Sequence, residues 1–78
     1  MDEYLATIKL FAGNFTPRGY RNCNGQVLKV AENQALFALL STTYGGDGRT
    51  NFALPKLESP IEGCHYIICV DGMFPVRD

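Results

Sequence analysis

Residues 42–55 read TTYGGDGRTNFALP, and this stretch constrains the fold on both sides of it. Three glycines, one aspartate and one arginine lie between an amphipathic segment and a short apolar run. Glycine adopts the left-handed backbone conformations that tight turns require, so the pattern predicts a specifically ordered loop. Within it we expect the two charged side chains to satisfy backbone groups or to pair with each other. The predicted loop residues are Gly45, Gly46, Asp47, Gly48 and Arg49.

The loop does not have the pattern of a phosphate or calcium site. A P-loop needs a lysine after its glycines and lies between a strand and a helix, whereas here the predicted helix comes first and no lysine follows. Calcium takes six to eight oxygen ligands, and no second acidic residue lies near Asp47. We therefore predict a structural loop, with no metal and no cofactor.

The segment before the loop has the spacing of an amphipathic helix. Apolar residues recur at intervals of three and four, which predicts a helix over residues 32–43. Glu32 in the first turn suits the helix dipole, and Gly45 or Gly46 would end the helix in a left-handed conformation. Six side chains from the helix, the loop and the closing segment are the candidates for core or interface contacts: Leu36, Phe37, Leu40, Tyr44, Tyr66 and Phe74.

Strand signals occupy most of the remaining chain. Alternation or short β-type apolar runs predict strands at residues 5–11, 52–54 and 65–70. Asn24-Gly25 predicts a β-hairpin between residues 19–23 and 26–30, because a type I′ turn needs positive φ at both central positions.

The last segment, residues 73–76, is predicted to be extended. Pro75 has no backbone N–H to donate, so this segment should lie at the edge of a sheet. The fold class is therefore α+β, with one amphipathic helix on a small, mainly antiparallel sheet.

Size and composition indicate one small globular domain over residues 1–78. Hydrophobic residues make up 46% of the chain and charged residues 19%, which is not the composition of a disordered segment. A core of this size is marginal alone, and exposed strand edges invite pairing with other chains. We therefore expect an oligomer.

Several partners are disfavoured by charge and hydropathy. The net charge is −1 and no basic block exists, which argues against nucleic acid. No apolar run approaches the roughly 20 residues that span a bilayer, so membrane insertion is not expected. The first residues have no positive region and no long apolar run, which predicts synthesis in a cytoplasm without a signal peptide.

The cysteines and the single histidine do not form a convincing reactive site. Cys23, Cys64, Cys69 and His65 match the number of zinc ligands but not their usual spacing. Buried free thiols are the expected state; a Cys23–Cys69 bridge is conceivable on neighbouring strands, although a cytoplasmic origin opposes it. We expect His65 at the surface or an interface. No catalytic set can be named, so an enzyme is not predicted.

Several motifs in consistent order resemble the phage tail collar domain of tail fibres and of the so-called microcystin-dependent proteins. They are LFAGNF and PRG within residues 10–19, CNGQ at 23–26, the helix and glycine loop at 33–48, and FALP at 52–55. The collar-like motif extends over residues 5–57. Two positions depart from the family pattern: Tyr20 stands where Trp is usual, and Lys56 where Asp or Asn is usual.

The closing segment within residues 65–76 is similar to the end of longer family members. Those members carry a long insertion, often a receptor-facing head, where this chain has only residues 56–64. The chain thus resembles a minimal collar protein without the head. No receptor site can be transferred, because the residues that would form it are absent.

The resemblance implies a structural or assembly protein of a phage tail or tail-derived particle. It would be a virion or prophage component connected with host attachment, forming a homo-oligomer, expected to be a trimer, with other tail-fibre proteins as further partners. The alternative is a small binding module that recognises a surface glycan, receptor or partner protein through the glycine loop and nearby aromatic residues.

Overall fold

The computed structural model describes residues 3–76 and has an α+β architecture, as predicted. Within this part of the chain, five short strands form a three-stranded and a two-stranded antiparallel sheet beside one helix. The elements in chain order are β1 (Ile8–Phe11), β2 (Tyr20–Asn22), β3 (Val27–Lys29), a 3₁₀ turn (Val30–Glu32), α1 (Gln34–Leu40), β4 (Asn51–Ala53) and β5 (His65–Cys69).

Strand β5 is the centre of the larger sheet. It lies between β1 and β2, with Ile68 opposite both Ile8 and Arg21. Successive strand residues point to opposite faces, yet Ile67 and Cys69 are as deeply buried as Ile68. Both faces of β5 are therefore covered, which explains why its sequence is a continuous apolar run rather than an alternating one.

The predicted Asn24-Gly25 hairpin is wrong. Strand β2 pairs with β5, and β3 pairs with β4, so the two strands that flank the turn belong to different sheets. Gly25 has φ +82°, but Asn24 does not have the positive φ that a type I′ turn needs. Instead the Asn24 Oδ1 accepts a hydrogen bond from the Gln26 N–H at 3.1 Å. This local side-chain turn carries the chain from one sheet to the other.

The helix is shorter than the predicted span of residues 32–43. Asn33, with φ −141° and ψ 43°, separates the 3₁₀ turn from α1. The helix ends at Ser41, whose φ is 52° and whose N–H donates to the Phe37 carbonyl, not at Gly45 or Gly46. A non-glycine residue thus takes the positive-φ position, so the glycines remain for the loop itself.

The first predicted strand also begins later than residue 5. Residues 4–7 form a turn in which the Thr7 N–H donates to the Tyr4 carbonyl at 3.2 Å. Ala6 sits in this turn with φ 71°, an uncommon conformation for a residue with a side chain. Its N–H donates to the Cys69 carbonyl at 2.9 Å, which fixes the turn against β5.

Of the predicted extended segment 73–76, only Met73 pairs with another part of the described chain. Met73 and Tyr4 form an isolated parallel bridge, in which the Leu5 N–H donates to the Met73 carbonyl at 2.8 Å. Residues 74–76 have no strand partner within residues 3–76. Phe74 is half exposed, and Val76 is 87% exposed.

The core joins the helix to both sheets. The Phe37 ring packs against the Phe52 ring at a centroid distance of 5.3 Å. The buried cluster consists of Cys23, Leu36, Leu40, Phe52, Leu54 and Ile68.

No helix within residues 3–76 is long and apolar enough to cross a membrane.

Candidate functional site

The glycine loop is folded tightly back onto strand β4. The Gly45 carbonyl accepts the Ala53 N–H, and the Gly48 N–H donates to the Asn51 carbonyl, each at 3.0 Å. Gly46 has φ +96°, and a Cβ there would lie 2.8 Å from the Asn51 carbonyl oxygen and would overlap the Cα of Phe52. Two independent constraints, backbone conformation and space, therefore require glycine at this position.

The Asp47 carboxylate is the hydrogen-bond acceptor around which the loop closes. Its Oδ1 accepts the backbone N–H groups of Arg49, Thr50 and Asn51 at 2.8, 2.9 and 3.1 Å. Its Oδ2 accepts the Thr50 hydroxyl at 2.9 Å. The Asn51 Oδ1 in turn accepts the Asp47 N–H at 2.9 Å, so the two ends of the loop bind each other reciprocally.

These bonds set the electrostatics of the loop. The backbone N–H of Arg49, followed by those of Asn51 and Thr50, holds the pKa of Asp47 far below its ordinary range. Because its oxygens already accept four hydrogen bonds, the carboxylate works inside the loop rather than as a free ligand. Sequence reasoning identified Asp47 but missed Thr50 and Asn51. The available signal was Asp47 itself, because aspartate side chains in turns commonly accept hydrogen bonds from backbone N–H groups a few residues further along the chain.

Asp47→Asn is expected to destabilise the chain at neutral pH. An amide can still accept the backbone N–H groups, but it carries no charge and its NH₂ group cannot accept the Thr50 hydroxyl. The pKa of Asp47 is lower in the folded state than in the unfolded state, so its stabilisation is complete above the unfolded value. That stabilisation is lost as pH falls through about 4 toward the folded pKa.

The measurement is the free energy of unfolding of the wild type and of Asp47→Asn in urea, between about pH 6 and about pH 3. The difference between wild type and Asp47→Asn should shrink as the pH falls. Asp71→Asn makes the same charge change on an exposed residue with no side-chain hydrogen bond within residues 3–76, and should have a much smaller effect. A constant difference across this range would mean that the charge of Asp47 does not stabilise the loop.

The other predicted residues fall into three environments. Leu36 and Leu40 are buried in the core, and Phe37 and Tyr66 are half-buried against it. Tyr44 is 49% exposed and Phe74 is 50% exposed, so these two are accessible to another molecule. Arg49 makes no ion pair within residues 3–76.

The cysteines are free, and residues 3–76 contain no group of three or more side chains placed to hold a metal. Cys69 lies opposite Tyr20, whereas the Cys23 N–H donates to the Tyr66 carbonyl, so the two thiols are offset along β5. Burial raises the pKa of the Cys23 thiol, which reduces its reactivity. The His65 ring packs edge-on against Phe11, with its Nε2 buried and without a hydrogen-bond partner in the described chain.

Among the surface depressions formed by the described residues, two have similar volumes, and the second shares Arg49 with the glycine loop. The first, which we name the arginine cleft, has a volume of about 500 Å³ and is lined by residues 16–22, Gln26, Val70 and Asp71. The second, the basic groove, has a volume of about 570 Å³ and is lined by residues 27–29, Ala31 and residues 49–51. Neither was predicted from the sequence, because each is assembled from segments that meet only in the folded chain.

Comparison with known families identifies the chain. The family model of the phage tail collar domain matches residues 6–60, well over half of the sequence. The chain belongs to the phage tail collar domain family. No curated protein matches it significantly. The resemblance drawn from the motifs is thereby confirmed, and the family indicates a structural role in phage tail fibres.

The collar match ends before strand β5. The glycine loop, the helix and strands β1 to β4 lie within the match, but the central strand of the larger sheet lies beyond it. Without β5, strands β1 and β2 would have no partner, since each pairs only with β5 among the described strands. The segment after the collar match therefore completes the sheet of this collar chain.

Proposed function

We propose that this collar chain is a self-associating structural protein of a phage tail or tail-derived particle. In this proposal it is a collar or fibre component, a homo-oligomer with the stoichiometry of a trimer, acting beside other tail-fibre proteins. Residues 1–78 act as one domain without a catalytic role, without nucleic acid and without membrane insertion. The chain is assembled into the virion or a tail-like particle.

The observation that carries the proposal is the apolar outer edge of β1. This strand pairs only with β5 among the described strands, so its other edge has no ladder partner. Ile8 and Leu10 lie opposite Ile68 and Tyr66, and directly opposed residues share a sheet face. Ile8 is 38% exposed and Leu10 is 37% exposed, although Ile68 beside them is fully buried. An apolar row thus runs from the core to an open edge, where another chain can cover it.

Residues 74–76, which we name the terminal segment, supply a matching partner for such an edge. Phe74 and Val76 are exposed, and residues 74–76 have no strand partner within residues 3–76. An extended segment that adds to an exposed edge gains main-chain hydrogen bonds and places alternate side chains on one face. In the proposed assembly, the terminal segment of one copy adds to the sheet of its neighbour. Pro75 then faces away from the ladder.

The test is the absolute mass in solution, measured by light scattering after size exclusion over a range of concentrations. We expect a trimer for the wild-type chain and a monomer for the double variant Ile8→Lys, Leu10→Lys, because charged residues on an edge strand oppose pairing. Circular dichroism of the variant should match the wild type, which separates lost association from lost folding. A folded wild-type monomer at all concentrations would contradict self-association.

The arginine cleft favours a second candidate, a small binding module for a surface glycan, receptor or partner protein. Arg18 and Arg21 line the cleft and make no ion pair within residues 3–76, so their guanidinium groups are available to an anionic group. In an NMR titration with an acidic oligosaccharide, shifts confined to residues 16–22 would support this candidate. Shifts at residues 44–51 would support the glycine loop as the binding element instead.

A further inference from the structure

The basic groove lies on the outer face of the two-stranded sheet. Val27 and Lys29 are opposite Ala53 and Asn51, on the face away from the core pair Leu28 and Phe52. Val27 is 58% exposed and, with Ala31, gives the groove an apolar floor. This groove is separate from the edge of β1.

Two cations border this floor. Arg49 makes no ion pair within residues 3–76, and Lys29 approaches only Glu32, at 4.0 Å with both side chains largely exposed. An exposed pair at that distance contributes little. The groove therefore offers an apolar surface with two available positive charges.

The exposed turn at residues 57–62, which we name the acidic turn, has the complementary character. All six of its residues are exposed. Leu57 and Ile61 are apolar yet 41% and 57% exposed, and Glu58 and Glu62 make no ion pair within residues 3–76. Exposed aliphatic side chains interleaved with unpaired carboxylates mark a surface suited to an apolar site with a basic border.

The acidic turn is held in shape before any contact is made. The Leu57 N–H donates to the Cys23 carbonyl at 2.9 Å, which anchors the start of the turn beside the core. The Ser59 hydroxyl donates to the Ile61 carbonyl at 2.5 Å, and its oxygen accepts the Ile61 N–H at 3.2 Å. A preformed turn loses less conformational entropy on binding than a flexible segment does.

We propose that the acidic turn of one copy docks into the basic groove of a second copy of this chain. This inference rests on the proposed self-association and adds a second contact to the pairing at the edge of β1. Leu57 and Ile61 cover the groove floor, while Glu58 and Glu62 meet Lys29 and Arg49. Because the two surfaces are different patches, the contact is head-to-tail, and repetition by a closing rotation generates a ring.

Ring closure compensates for the small area that a single contact between the acidic turn and the basic groove buries. A turn of six residues buries less than the roughly 1,200 Å² typical of the smallest stable interfaces. In a closed ring each copy makes the contact twice, and the last contact forms within an existing assembly at a high effective concentration. Assembly should therefore depend steeply on protein concentration and weaken with salt.

The experiment exchanges the charges on each surface separately and then together. The groove variant is Lys29→Glu, Arg49→Glu, and the turn variant is Glu58→Lys, Glu62→Lys. Each alone should raise the concentration needed for assembly by at least about tenfold, since like charges then face each other across the contact. A chain carrying all four changes should recover assembly, because its charges are complementary again.

Gln34→Glu, Ala38→Glu is the control, since it adds two negative charges at exposed positions of α1, outside the basic groove, the acidic turn and the arginine cleft. It should assemble as the wild type does, and all variants should show the same circular dichroism. If the wild type assembles and either surface variant does so equally well, the docking inference is overturned while self-association stands. Failure of the four-residue variant to recover also overturns it. A wild type that never assembles contradicts the proposed function itself.

Discussion

Gly46→Ala is expected to be among the most destabilising single substitutions in this chain. A Cβ at this position would overlap the Cα of Phe52 and lie 2.8 Å from the Asn51 carbonyl oxygen. Both are backbone atoms of β4, so no side-chain rotation can relieve the contact. The φ of +96° adds about 1–2 kcal/mol of strain for a residue with a side chain, and overpacking typically adds about 1–3 kcal/mol.

Gly63→Ala is the matched control for this prediction. Gly63 also has a positive φ, +85°, but a Cβ there would have no atom within 4 Å. Gly63→Ala therefore introduces the backbone strain without any steric overlap. The measurement is the free energy of unfolding in urea for wild type and both variants. Gly46→Ala should lose clearly more stability than Gly63→Ala, and equal losses would show that β4 can move away at little cost.

The sequence predicts the positions of the helix and strands better than it predicts which strands pair with each other. The helix, the strands and the glycine loop were identified because periodicity and turn residues are local signals. The pairing of β2 with β5, across more than 40 residues, is not local, and the Asn24-Gly25 dipeptide pointed to the wrong partner. At that site the Asn24 side chain forms the turn by its own hydrogen bond, a competing use of the same residue type.

The predicted end of the helix and the predicted start of the first strand are wrong for a related physical reason. Ser41 and Ala6 adopt positive φ, and no sequence rule assigns that conformation to serine or alanine in preference to a nearby glycine. Tertiary contacts determine these two backbone conformations. The Ala6 N–H, for instance, donates a hydrogen bond to the Cys69 carbonyl. The basic groove and the arginine cleft were missed for the same reason, since each depends on segments brought together only by folding.

Phe52→Ala is the other substitution expected to have a large effect. Phe52 is fully buried, packs on the Phe37 ring and lies in the cluster that joins α1, β4 and β5. Removing a buried phenylalanine ring typically costs about 3–5 kcal/mol, because the surrounding side chains collapse only partly into the space. A chain of this length has a total stability of only about 4–12 kcal/mol, so the variant should unfold at much lower urea concentration or be unfolded in water.

Phe74→Ala, measured at a concentration at which the chain is monomeric, is the control, because it removes the same ring from a residue that is 50% exposed within one chain. Its loss should stay below about 1 kcal/mol, the usual range for substitutions away from the core. Phe52→Leu keeps most of the apolar volume, so it should remain folded and fall between the two, which preserves the comparison even if Phe52→Ala cannot be purified. If Phe52→Ala and Phe74→Ala were equally stable, the core would not be organised around Phe52. The helix and the two sheets would then be held together mainly by the remaining members of the buried cluster.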